Sequence, residues 1–279
     1  MNLFGLIEEI EKADPEFQDR ISPRRDAIKN ITSFGSKVAV AALPFAFSTL
    51  FKKAYGQTAT PTVNDVLNYA LKLEYLEAAF YNAGVASSLG FSAAEKSYLV
   101  TIQGHENAHV AFLKSVLGSA AVAQNTQGNN GTYDFTAGGT FPTVLSNVDT
   151  YFAVAQAFED TGVRAYKGQA GFLAGNQVVL TAALDIHSVE ARHASAIRQI
   201  RRSRGATTTK PWISGANDTG IAAVNGNYAG EDNLVQGGVT ITTLAGVNGN
   251  VATLAATESF DEPLTSAQVV ALVAPFGVK

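Results

Sequence analysis

Six residues of this 279-residue chain stand in a pattern suited to holding two metal ions: Glu74, Glu106, His109, Glu159, Glu190 and His193. Glu106-Asn107-Ala108-His109 is echoed by Glu190-Ala191-Arg192-His193. Glu and His three apart share one face of a helix, one turn from each other. A further glutamate precedes each pair, Glu74 by 32 residues and Glu159 by 31, the distance that a helix, a tight turn and an antiparallel return require. Each of these is followed seven residues later by a tyrosine, Tyr81 and Tyr166. Two divalent cations side by side repel strongly, and four carboxylates would neutralise and bridge them. Carboxylate with neutral imidazole suits iron or manganese and leaves coordination positions for oxygen or peroxide. The expected arrangement has Glu106 and Glu190 bridging, Glu74 and Glu159 terminal, and one imidazole on each ion.

Blander readings compete residue by residue. A lone Glu-x-x-His is more often an exposed polar pair, so the ligand reading rests on the duplication. Glu77, one turn from Glu74, is a candidate additional ligand or a replacement for Glu74. The echo favours Glu74, because Gly162 stands where a counterpart of Glu77 would be. Tyr81 and Tyr166 could hydrogen-bond to the ligands, donate electrons, or simply pack with a satisfied hydroxyl. The other two histidines, His105 and His187, are expected at the surface or supporting a ligand, as are Asp160 and Asp185. Arg198, Arg201, Arg202 and Arg204 read as a solvated helix end that suits the helix dipole.

Four helices must position these groups. Apolar residues recur at helical spacing from Thr62 to about Ser87, Ser92 to Leu117, Asn147 to about Gly168, and Asn176 to Ser203. Ser92-Ala93-Ala94-Glu95 is a capping-box pattern, Asn176 a fitting N-cap, and Gly118 and Gly205 are stops. Short links join helices one to two and three to four, so each pair forms an antiparallel hairpin. The Gly-, Asn- and Thr-rich stretch Ser119 to Pro142 is long enough to cross from one end of a bundle to the other. An all-α, ferritin-like four-helix bundle with one long crossover follows from that connectivity.

The flanks differ in composition. Pro23-Arg24-Arg25-Asp26-Ala27-Ile28-Lys29, an apolar run from Val38 to Phe51, and small residues before Gly56 resemble a twin-arginine export signal over residues 1–56. Ala27 departs from the usual Phe of that pattern. An uncleaved anchor is the alternative, but the apolar stretch is shorter than the roughly 20 residues of a spanning helix. Residues 57–205 then carry the bundle, and residues 206–279 a loop-rich extension packed on it. In the extension Val239 to Leu244 and Val251 to Leu254 read as short strands, with Asn-Gly turns at 225–226 and 248–249. Thr265-Ser266-Ala267-Gln268 opens a short helix to Ala274. Absence of cysteine excludes disulfides and thiolate chemistry, and a net charge of −4 gives no nucleic-acid binder.

Leu73-Glu74-Tyr75-Leu76-Glu77-Ala78-Ala79-Phe80-Tyr81, the Glu106/His109 helix, Phe158-Glu159-Asp160, Val189-Glu190-Ala191-Arg192-His193 and the closing Phe260-Asp261-Glu262-Pro263-Leu264-Thr265 carry a resemblance. The chain is similar to exported bacterial ferritin-like domain proteins, related to plant desiccation-related proteins. The resemblance implies the fold and a metal site of two iron or manganese ions, not iron storage. The expected function is an exported, periplasmic or envelope protein whose di-metal centre acts on oxygen or peroxide, as a ferroxidase or peroxide scavenger. A non-enzymatic stress or envelope-associated protein with a structural metal is the alternative. A bundle without metal is a third. Self-association stays open.

Overall fold

The computed structural model describes residues 60–124, 133–216, 220–246 and 249–278. The expected export segment and its cleavage point lie outside these residues, as does the middle of the crossover. Four long helices dominate: α1 (Val63–Ala86), α2 (Ala93–Leu117), α3 (Val148–Ala170) and α4 (Gln177–Ser203). The all-α bundle expected from the sequence is the architecture observed, and helix starts agree with the capping residues. Thr62 caps α1 with a box closed by Asp65, Ser92 caps α2 with one closed by Glu95, and Asn147 and Asn176 accept from the first turns of α3 and α4. Each such side chain satisfies a backbone donor that has no partner inside the helix.

α1 packs along α2 and α3 along α4, while α1 against α3 and α2 against α4 close the bundle. The crossover leaves α2 through a short 3-10 turn, Gly118–Ala120. Asn68 of α1 then holds it at two points, donating to Ala120 O at 2.9 Å and accepting from Val122 N at 2.8 Å. At the far end Tyr133, Phe141 and Val144 return to the core.

α3 differs from its neighbours because almost none of it reaches water. Its inner face meets the bundle, and its outer face meets the 3-10 segment Ala222–Tyr228, Ala229, Glu231, Glu262, Leu264 and the helix Ser266–Val273. Polar side chains are therefore buried on that outer face, each with a partner. The Arg164 side chain is fully buried; it lies 2.7 Å from Glu231 Oε1 and donates to Glu262 O, Ala229 O and Asn227 O. Asp160 receives Arg198 of α4 at 2.9 and 2.7 Å and the Tyr228 hydroxyl at 2.5 Å. The backbone of Leu264 donates to Arg164 O at 3.1 Å, an approach that only Gly168 permits, since a Cβ there would lie 1.9 Å from Leu264 O. The arginine run at the end of α4, expected as a solvated end, is so only in part: Arg202 and Arg204 are exposed, but Arg198 is not. Arg198 is buried against Asp160 and Trp212 O, Arg201 donates to Gln156, Arg202 to Thr209 O, and Arg204 to Asp149 and Glu95.

The extension contains two minimal hairpins, β1 (Val235–Gln236) with β2 (Val239–Thr240), and β3 (Ala245–Gly246) with β4 (Gly249–Asn250). The expected strand at Val239–Leu244 gives way after Thr240 to a 3-10 turn, and Val251–Leu254 runs into a short helix, α5 (Thr253–Thr257). Asn225-Gly226 lies inside a 3-10 segment, Ala222–Tyr228, packed on α3, where Tyr228 and Asn227 meet α3 polar groups. Those tertiary bonds outweigh the local turn preference. Gly237 and Gly238, both at positive φ, make the first hairpin instead. The expected terminal capping box is present at Thr265, opening α6 (Ser266–Val273) against α3.

Arg164→Met should cost about 3–5 kcal/mol, because it leaves Glu231 and three carbonyls buried without their donor. Urea unfolding measures this, with Arg192→Ala on the exposed face of α4 changing stability by about 0.5 kcal/mol or less. Equal effects from the two changes would contradict the clamp.

Candidate metal centre

Halfway along the bundle, α1 brings Glu74 and Glu77, α2 Glu106 and His109, α3 Glu159, and α4 Glu190 and His193 to one place in the core. All seven are buried, and Glu74, Glu106, Glu159 and Glu190 have no exposed surface. The six ligand candidates form two overlapping groups. Glu74, Glu106, His109 and Glu190 place one ligand atom each within 4.8 Å of one another, and so do Glu106, Glu159, Glu190 and His193. Glu106 and Glu190 belong to both.

Those two glutamates divide their oxygens between the imidazoles. Glu106 Oε2 lies 3.3 Å from His109 Nδ1 and its Oε1 2.8 Å from His193 Nδ1; Glu190 Oε1 lies 3.1 Å from His109 Nδ1 and its Oε2 3.7 Å from His193 Nδ1. Glu74 Oε2 stands 3.1 Å from His109 Nδ1, and Glu159 Oε2 stands 3.4 Å from His193 Nδ1. Proximity is not pairing, however. Glu106 Oε1, Glu159 Oε2, both Glu190 oxygens and His193 Nδ1 are buried without a geometrically acceptable hydrogen bond. A close N···O distance without alignment means that the lone pairs converge on a shared space instead of on each other. Buried oxygens and an imidazole nitrogen left this way are costly to a protein alone, and a divalent cation would satisfy them together. The donor set therefore fits metal ions that prefer oxygen and nitrogen ligands.

The ligand candidates are themselves held. Tyr81 of α1 donates to Glu159 Oε1 of α3, and Tyr166 of α3 donates to Glu74 Oε1 of α1, so the two hairpins exchange tyrosines. Burial followed by the charge of the paired glutamate pushes both phenols well above their ordinary range, which keeps them as donors. His105 was expected to face away from the ligands; it is exposed, yet its Nδ1 lies 2.8 Å from His193 Nε2, with the rings stacked. Such a contact fixes which His193 nitrogen faces inward. His187 and Asp185 belong to neither ligand group, and Asp160 serves the Arg198 network.

Glu77 is the odd carboxylate. It is 4% exposed and joins neither group of ligand atoms, but its Oε1 lies 3.2 Å from where a Gly162 Cβ would stand, beside Glu190 Oε2 at 3.7 Å. It occupies the room that a side chain on α3 would take. Burial, then the charges of Glu190, Glu106, Glu159 and Glu74, raises its pKa well above the carboxylate range.

The ionisable groups of the centre shift one another's protonation. Burial pushes Glu106 well up and Glu159 up to about 7. Burial would also raise Glu190, but His109 and His193 outweigh it and bring that carboxyl down to about 2. Burial opposes charge on His109, yet Glu106, Glu190 and Glu74 raise it to about 12, and Glu159 and its neighbours raise His193 likewise.

Residues 62–203 match the ferritin-like domain family, just over half of the chain and all four long helices. The chain belongs to that family. Neither the curated proteins nor the solved structures contain a match to it. Membership and the buried cluster together make this a ferritin-like domain whose acidic and histidine groups can hold metal.

Two predictions follow from the proton balance and from Glu77. Glu159, raised from 4.5 to about 7, and the two raised histidines bind more protons folded than unfolded, so the metal-free protein loses stability as pH rises from about 4.5. Cations displace those protons, so the gain in melting temperature on adding Mn(II) should grow between about pH 5 and 8. A gain that is constant or shrinks with pH contradicts this balance. Gly162→Ala should displace Glu77 and change the Mn(II) EPR spectrum while leaving far-UV circular dichroism unchanged; an identical spectrum would show Glu77 to be remote from the ions.

Proposed function

We propose that this ferritin-like protein binds two iron or manganese ions and acts on oxygen or peroxide. The observation that carries the reading is the division of the Glu106 and Glu190 oxygens between His109 and His193, which supports a site in which these two glutamates would be shared by both ions and Glu74 and Glu159 would each serve one. Two such ions in their reduced state would supply the two electrons that, with two protons, convert hydrogen peroxide to two waters. The chain's own residues prepare the site. Tyr166 and Tyr81 hold Glu74 and Glu159 in orientation, His105 sets the outer nitrogen of His193, and Glu77 reaches, as Glu190 does, to the space left by Gly162.

Water is restricted by an aromatic cluster at the Glu159 end. Phe80 stacks on Tyr151 at 4.5 Å and meets Tyr81 and Phe158 edge-on. Low polarity around the ions strengthens each charge interaction within the site. Export to the periplasm or envelope belongs to the same reading and rests on residues 1–56 alone. Among the described residues no helix is long and apolar enough to cross a membrane.

Metal analysis of the natively purified protein should give about two iron or manganese ions per chain, as the ligand set of ferritin-like two-metal sites provides. Glu106→Ala and Glu190→Ala should each lose both ions, since each glutamate belongs to both groups of ligand atoms. Tyr166→Phe should weaken binding by about 10–100-fold while keeping the fold. The metal-loaded protein should oxidise Fe(II) or consume peroxide above the Glu106→Ala background. Full metal content with neither activity would leave the ions a purely structural role.

A further inference from the structure

The two ends of the centre are built differently. At the Glu159 end, Tyr81 is walled in by Phe80, Tyr151 and Phe158. At the Glu74 end, the corresponding tyrosine, Tyr166, is instead the inner wall of a cavity of about 140 Å³ that opens between α2 and α4. Leu67, Leu113, Ala182 and Ile186 line it, so all four helices contribute and its walls are apolar. Its rim is apolar too: Val178 is 81% exposed, Val116 46% and Phe112 41%.

Water gains little in such a space. A stable buried water needs two to four polar partners, and the walls offer none beyond Tyr166, whose hydroxyl is already given to Glu74. Apolar cavities of roughly 150 Å³ in proteins take up benzene or xenon. Large exposed aliphatic residues around the opening are hard to explain as ordinary solvent surface, but they are what an apolar ligand would cover on entering. A free ferrous ion or hydrogen peroxide would have no use for such walls.

We propose that this cavity is a binding site for an uncharged apolar group of about the size of a benzene ring or a short alkyl chain. Its occupant contacts the ring of Tyr166, and the Tyr166 hydroxyl carries that contact to Glu74, on the His109 side of the centre alone. The binding site stands on the cavity itself. Its meaning for reactivity rests on the proposed two-metal reading, and within it narrows the peroxide to one that carries an apolar organic body.

Benzene and xenon, added to the full-length protein in metal-free and metal-loaded form, test this by calorimetry and by NMR. Saturable binding of one benzene per chain is expected in both forms. Ala182→Phe, which fills the cavity, should abolish it without changing metal content. Val178→Lys, which sets a charge on the exposed rim and leaves the core untouched, should weaken it if Ala182→Phe does not fold. In the metal-loaded form, benzene should shift the EPR or absorption spectrum of the ions, and Tyr166→Phe should remove the shift while benzene still binds. Absence of saturable binding, or binding unaltered by either cavity variant, overturns the proposal. Metal content measured on the same samples decides the two-metal reading separately, so a protein that binds benzene but no metal sinks only that reading.

Discussion

Everything in this molecule is organised around the cost of putting five carboxylates in one dry core. Glu74, Glu77, Glu106, Glu159 and Glu190 sit where water cannot screen them, and only two imidazoles stand among them. Ionised together they would repel by several kcal/mol per pair at an effective dielectric near 20. The protein meets this cost with carboxyls and imidazoles whose pKa values are raised by one another and by burial, with tyrosine hydroxyls given to the outer glutamates, and with oxygens and nitrogens so placed that they could hold cations. Four long helices with capped ends are what hold that arrangement against its own repulsion.

The same demand explains why α3 is buried on both sides. A helix that carries Glu159 inward and Asp160 and Arg164 outward has no uniformly apolar face. Without a covering layer, the outer groups would let water approach the helix beside the centre. Arg164, clamped by Glu231 and three carbonyls, and Asp160, clamped by Arg198 and Tyr228, turn that polar face into a dry interface. Tight packing there demands glycine at 168, where the backbone of Leu264 comes too close for any side chain.

The bundle was legible in the sequence because apolar periodicity, caps and loop lengths agreed with one another. The convergence of the six ligand candidates was legible because it was written twice, as two glutamates and two Glu-x-x-His pairs. What was not legible depended on tertiary partners. Arg198 has the same local context as its solvated-looking neighbours, and only Asp160 on another helix makes it a buried residue. His105 sits off the ligand face by helical geometry, yet the close approach of α2 to α4 brings it to His193. In the extension, Asn225-Gly226 carries a strong hairpin signal, but Tyr228 and Asn227 are drawn to α3 and pull the segment into a 3-10 turn. The unequal ends of the centre were hinted at only by Gly162 facing Glu77.

The family likeness stops at Ser203, but the molecule's dry interior does not. Arg164 and Arg198, both without exposed side-chain surface, find much of their satisfaction in residues 210–262. The segment that is recognisable by descent is therefore smaller than the segment that folds as one. Cut at the end of that family match, the bundle would lay bare Asp160, Arg164 and part of the Arg198 network, so the tail serves as the lid that keeps water off the outer face of α3.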